Sequence, residues 1–354
     1  MKTAVILQTH RFDANILSEF SRMQVNLPKT DKPFIMSDGT VPAPPSLAPI
    51  THVIDVDRVL GRATGTIGEG ILQNLHLSWI DFFENHPDFD AYWIIEYDVV
   101  YAGPWQQFFS AFRNVSSDLL CAHLRPSSHE PGWWGLPQHV VHTPQGEVEE
   151  SDLIRGFLPA SRITRHGLEI LRHAVDEGWW GFTESLVPTV LKVHGLPITD
   201  FGGSGPFVPP GSSDRFYTSV TDPMGSLGDQ GTMRFRPPIR YPRILSGWLY
   251  HPVKPDCYVI DGGADDFQSA LSAIDQAISE VQGHEPGAEI PRFLQTAYID
   301  HQLQVLTGLR TSELLIALDR LIDCGAEAST VAPLRQRLLA LPFLSSALRG
   351  QRRS

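Results

Sequence analysis

Five consecutive apolar positions, residues 91–95, end abruptly in Glu96, Tyr97 and Asp98. An unbroken apolar run of this length suits a strand buried on both faces. Three similar short runs precede it, at residues 4–7, 33–36 and 52–56, and a fourth follows at 118–122. Each of the first three gives way to polar residues: Gln8-Thr9-His10-Arg11, Ser37-Asp38-Gly39 and Asp55/Asp57. Between the runs the period lengthens. Residues 71–84 set Leu72, Leu75, Trp79, Phe82 and Phe83 on one stripe, which predicts a helix. Residues 16–23, 105–112, 164–177 and 182–191 read as further helices. Apolar strands alternating with helices predict an α/β domain, its mostly parallel sheet sandwiched by helices.

The segment around Arg155, Gly156, Pro159 and Arg162 reads as a polar, glycine-containing lead into the helix at 164. Long stretches at 41–49, 61–70, 126–150 and 202–231 are rich in Gly, Pro and Ser and read as loops. The loop at 126–150 carries Trp133-Trp134, which would stack on a sugar or base, or plug the loop onto the body. Residues 233–236 and 240–243 are locally basic, suited to phosphate or to balancing nearby acids. An apolar run at 244–250 ends in His251 and Lys254. From Asp265 onward, apolar residues recur at helical spacing through 281, 290–306 and 312–324. The expected organisation is therefore a domain over 1–262 and a C-terminal helical region over 263–354.

Composition narrows the function. A chain of 354 residues with 42% hydrophobic and 19% charged residues builds a substantial core. The net charge of −12 argues against nucleic acid as the partner. Cys121, Cys257 and Cys324 are too scattered for a metal finger, and their odd number fits a reducing compartment. The short apolar run after Met1 is unlike a signal peptide, and no run approaches a membrane span. The expectation is a cytoplasmic protein without a transmembrane segment, peripheral membrane contact being compatible with the basic tip at 349–353.

In extended chain Glu96 and Asp98 point the same way. Two carboxylates at the end of a buried strand call for a compensating positive group, and the carboxyl end of such strands is where α/β sheets bind ligands. A hard divalent cation holding a phosphate fits, since such ions choose carboxylate oxygens. The plainer alternative is a pair of surface acids before the turn at Gly103-Pro104. Glu184, at the start of a predicted helix, reads either as a helix-start residue or as a base in a pocket.

The order Glu96-Tyr97-Asp98, Arg155-Gly156 with Arg162, Glu184, then His251 resembles the GT-A glycosyltransferase core, over about residues 1–260, and within it bacterial glycosyltransferase-like proteins. Glu96-Tyr97-Asp98 looks like a DxD variant with Glu in first place, and Ser185 stands where the acidic motif carries its second acid. The resemblance implies a metal-dependent transferase moving a sugar from a nucleoside diphosphate sugar to an acceptor hydroxyl. Asp98 and His251 would ligate Mn2+ or Mg2+. Thr9, Arg11, Asp38, Glu96, Gly156, Arg162 and Lys254 would hold the nucleotide sugar, and Glu184 would be the base. A nucleotidyltransferase shares this sheet type and metal use. A non-catalytic scaffold, with the helical region as its interaction part, is the reading from another class.

Overall fold

The computed structural model describes residues 1–129, 140–219, 227, 231–235, 239, 247–254, 332, 333 and 336. The chain divides into two compact units, Met1–Val253 and Lys254–Ser354. In the second unit residues 332, 333 and 336 are helical. The rest of the expected C-terminal helical region lies outside the described residues, as do Trp133, Trp134, Cys257, Cys324 and the basic segment 240–243.

In chain order the first unit runs β1 (Thr3–Thr9), α1 (Ala14–Gln24), β2 (Lys32–Ser37), β3 (Thr51–Val53), α2 (Val56–Leu60), α3 (Leu75–Asn85), β4 (Ala91–Glu96), β5 (Val100–Tyr101) and α4 (Trp105–Ala111). It continues with β6 (Leu119–Pro126), β7 (Val141–Thr143), β8 (Gly146–Glu147), β9 (Ile154–Thr164), α5 (Arg165–Asp176), β10 (Trp180–Gly181), α6 (Thr183–Val193), β11 (Ile198–Asp200) and β12 (Leu249–Tyr250). Seven strands form one sheet in the order β11-β6-β9-β4-β1-β2-β3. Its pairs are parallel except those of β9, which runs antiparallel to both β4 and β6. The unit is α/β with a mostly parallel sheet flanked by helices, as the alternation predicts.

Both faces of β4 are covered. Tyr92 meets Phe82 and Phe83 of α3 edge-on, while Trp93, on the other face, packs against Phe108 and Phe109 of α4 and stacks on Phe201. Local signals set the helix starts. The Asp13 carboxylate accepts from Asn15 N and Ile16 N to open α1, and Thr164 accepts from Gly167 N to open α5 directly out of β9. Asp55 caps α2 in the same way, so β3 ends at Val53 rather than at residue 56. Leu72, assigned to the stripe of α3, precedes that helix in a 3-10 turn and is 69% exposed.

Two further expectations are corrected. The stretch 126–150 is not one loop: β7 and β8 form a hairpin, and β10 pairs with β7. The segment around Gly156 leads into a helix, α5, as expected, and it does so as the strand β9, eleven residues long and buried along nearly its whole length. Its polar residues disguise it. Arg162 is 1% exposed, and its guanidinium donates to the carbonyls of Phe112 (2.5 Å), Val115 (2.7 Å) and Ser117 (2.9 Å). Burial lowers its pKa to about 10, against the pull of Asp118. Arg162 lines a cavity of about 390 Å3 with Met1, Arg113 and Thr164, where β1 begins and β9 ends. That is the sheet edge opposite Glu96, so Arg162 is not placed to hold the nucleotide sugar. Gly156 sits where an added Cβ would lie 3.0 Å from Cys121 Sγ and 3.1 Å from Leu124 Cδ2, so a larger residue would press on the side chains of β6.

Replacing Arg162 by Ala takes the guanidinium from three carbonyls, of which Phe112 O keeps the Val115 N–H (3.1 Å). Urea denaturation is expected to show a loss of about 3 kcal/mol or more. An Arg162→Ala protein as stable as the parent would show that the carbonyl cage contributes nothing.

Candidate active site

The parallel strands β1, β2 and β4 deliver their carboxyl ends to one edge of the sheet. Glu96 closes β4, and the turn that follows is fixed at both ends: Tyr97 N donates to Gln8 O of β1 (3.0 Å) and Val99 N to Glu96 O (3.0 Å). The chain then enters β5, which pairs antiparallel with β12, setting Val100 opposite Tyr250. This pairing carries the next residue, His251, to the two acids. Val253 N donates to Asp98 O (2.7 Å), and His251 N to Thr232 O (2.8 Å), which lock the approach.

Asp98 is 5% exposed and His251 6%, with Glu96 half-buried. His251 Nδ1 lies 2.8 Å from Arg234 O. A carbonyl only accepts, so Nδ1 carries the proton and Nε2 turns toward the acids. Nε2 stands 3.5 Å from Asp98 Oδ1 and 3.7 Å from Glu96 Oε2, and one ligand atom from each residue lies within 4.8 Å of the others. Burial alone would lower the His251 pKa, but the Asp98 and Glu96 carboxylates raise it beyond its ordinary value. With a proton on Nε2 the cluster is an ion-paired triad. With a neutral imidazole it is a set of three donors. The spacings exceed the ~2.7–3.2 Å of a good hydrogen bond. They come close to the ~3.0–3.5 Å that separates ligands lying ~2.1 Å from one cation. A histidine held by a carbonyl through its other nitrogen is also how metal ligands are oriented.

Glu184 lies in the first turn of α6. Its Oε1 is 3.5 Å from Leu158 N of β9, and its buried Oε2 finds no hydrogen-bond partner among the described residues. Burial first, and the nearby Glu96 charge second, push its pKa well above the usual carboxylate range, opposed only by the Leu158 N–H. Next to it, Thr183 Oγ1 donates to Gln73 O (2.9 Å), leaving the oxygen to accept from His76 N (3.3 Å) and His76 Nδ1 (3.0 Å). The buried His76 thus anchors the start of α6, and burial lowers its pKa to about 3.

The remaining expected residues are dispersed. Thr9 Oγ1 donates to Arg11 O (2.7 Å) and accepts from Arg11 N (3.1 Å), pinning the loop after β1 at the same sheet edge. Asp38 accepts from Thr40 N (3.0 Å) in the turn after β2. Lys254 opens the second unit. Two contacts had no sequence signal. His10 meets Tyr97 edge-on at 4.8 Å, and Phe157 meets His251 edge-on at 5.1 Å.

Neither a family model nor a curated protein matches the chain. Among solved structures, a mannosyltransferase from Pyrobaculum calidifontis in complex with GDP-Man and Mn2+ is 11% identical. The match has a TM-score of 0.34 and covers 98% of this chain and 83% of that one. A197 from STIV is 16% identical with a TM-score of 0.23, covering 48% of this chain and 68% of that one. Likenesses this remote decide neither fold nor chemistry. No helix among the described residues is long and apolar enough to cross a membrane.

Two outcomes are expected. Mn2+ at ~100 times its dissociation constant should stabilise the protein by ~2.7 kcal/mol in a thermal melt. Asp98→Asn should remove that gain, and an equal gain in the variant would undo the site. For His76, the folded pKa lies below the unfolded value of 6.5, so the unfolded chain takes up the proton first. Stability should therefore fall as pH drops from ~6.5 toward ~3, by up to ~1.4 kcal/mol per unit from this group. His76→Asn should flatten that slope, and an unchanged slope would show that His76 is not responsible.

Proposed function

We propose that the protein is a glycosyltransferase that moves a sugar from a nucleoside diphosphate sugar to an acceptor hydroxyl with the help of Mn2+ or Mg2+. The observation that carries this reading is the convergence of Glu96, Asp98 and His251 within 4.8 Å at the carboxyl edge of the sheet, with the raised carboxyl of Glu184 beside them. Asp98 and His251 would hold the cation and Glu96 a water on it or the ribose. A carboxylate oxygen with an imidazole nitrogen suits Mn2+ better than Mg2+, which prefers an all-oxygen shell. A bound cation supplies Lewis acidity to the departing diphosphate.

The chain's own groups do the rest. Thr9, Arg11 and Asp38 lie at the ends of β1 and β2, where a nucleotide would rest against the sheet edge. Gly156 serves by packing, not by touching the sugar. Glu184 would take the proton of the acceptor hydroxyl. Its elevated pKa makes its ionised form a stronger base than an ordinary carboxylate. Attack assisted in this way gives inversion at the anomeric carbon.

Glu184→Gln preserves shape and removes the base. Turnover with a nucleoside diphosphate sugar should fall by ~10²–10⁴-fold, while calorimetric affinity for the donor stays near that of the parent. Undiminished turnover would remove Glu184 from the chemistry.

A further inference from the structure

His251 reaches the acids at the end of β12, a strand of two residues. So short a pairing holds a chain only weakly by itself. The segment 216–218 braces it. Phe216 O accepts from Leu249 N (2.7 Å), and Thr218 O accepts from Thr232 N (2.9 Å) and Met233 N (3.0 Å). Thr218 N donates to Thr232 Oγ1 (3.1 Å). Thr232 O then accepts from His251 N (2.8 Å), Arg234 N donates to His251 O (3.1 Å), and Arg234 O fixes the ring through Nδ1 (2.8 Å). Residues 216–218 therefore bond to both chains that seat His251: the strand it follows and the segment 232–234 that aims its ring.

The brace is itself tied to the main sheet. Strand β6 carries a bulge, its register on β9 shifting on both sides of Ala122, and His123 within it takes a left-handed φ of +50°. There His123 N donates to the Tyr217 hydroxyl (2.5 Å). The hydroxyl donates in turn to the Asp200 carboxylate (2.7 Å). Asp200 closes β11, is fully buried, and also accepts from Leu124 N (3.0 Å), Gly202 N (3.0 Å) and Gly203 N (3.1 Å). A Cβ on Gly203 would fall 2.3 Å from Tyr217 Cζ, so the chain after β11 lies directly on the phenol. Burial first, and then the Asp200 charge, push the Tyr217 pKa well above its usual value, so the phenol keeps the proton it donates. A second link runs beside the first: Ser219 Oγ is 2.5 Å from His123 Nδ1.

We propose that Tyr217, with Ser219 beside it, is a positioning residue for His251: its hydroxyl ties the brace to Asp200 and the β6 bulge, and so sets the imidazole at its distance from Glu96 and Asp98. The simpler alternative is that apolar packing alone seats the brace, since Phe216 is buried against Phe108 and Phe112. The tether stands without the transferase reading. Only its effect on a bound cation rests on that reading of the cluster.

The test is native-state hydrogen exchange of the full chain, read at His251 N and Arg234 N. Tyr217→Phe removes only the hydroxyl and should speed both amides about tenfold. Arg162→Ala, which weakens the opposite sheet edge, should leave their exchange unchanged. Parent-like exchange in Tyr217→Phe would overturn the tether. Equal acceleration in Arg162→Ala would overturn it too, because the seat of His251 would then merely follow overall stability. Ser219→Ala leaves Asp200 its donors and decides the matter if Tyr217→Phe does not fold: it should speed the same amides several-fold, and no change would overturn the proposal. A second arm titrates Mn2+ by its paramagnetic resonance. Tyr217→Phe should bind it about threefold more weakly or worse, and Arg162→Ala as the parent does. A parent that binds no Mn2+ would strike the cation reading, while the exchange arm judges the tether in either case.

Discussion

The antiparallel seating of β9 between two parallel strands is the constraint on which this molecule turns. A parallel strand in that place would present its carboxyl end to the edge where β1, β2 and β4 end. Antiparallel β9 instead brings its beginning there. That beginning carries Arg155, Gly156, Phe157 and Leu158. Leu158 N reaches Glu184, Phe157 reaches His251, and Arg155 stands across from Arg125. The far end of the same strand puts Arg162 among carbonyls and hands the chain through Thr164 to α5. One ladder thus serves stability at one sheet edge and the candidate chemistry at the other.

The electrostatics follow from this seating. The carboxyl groups of Glu96, Asp98 and Glu184 gather at the sheet edge, and His251 turns its Nε2 toward Glu96 and Asp98. Burial makes such a cluster costly unless it is paired or metal-bound. The Glu184 pKa is raised first by burial and then by the Glu96 charge, whereas burial would lower that of His251 and the Asp98 and Glu96 charges raise it; a neighbouring carboxylate favours the protonated form of both.

Much of this was legible in the chain. The apolar runs at β1, β2, β4 and β6 were readable because burial on both faces leaves no alternation to confuse them. Glu96 and Asp98 were readable because acids at the end of such a run have few structural uses. That the lead into α5 is a strand was not legible, because Arg155, Pro159, Ser161 and Arg162 look like solvent-facing residues, and only the carbonyls of Phe112, Val115 and Ser117 make Arg162 an interior group. The β7–β8 hairpin hid in the same way, its strands being too short for any period to emerge.

Local sequence, then, determined the parallel half of the sheet, the helices with their Asp and Thr caps, and the presence of acids at a strand end. These depend on neighbours a few residues apart, which periodicity and capping record. Tertiary structure alone decided that His251, far along the chain, pairs in through β5 and β12. It also decided that Glu184 faces Glu96, that Gly156 is a packing residue, that Arg162 turns away from the site, and that Arg125 meets Arg155. Each of these is set by the register between distant strands, and a one-residue slip would turn the same side chains to the opposite face.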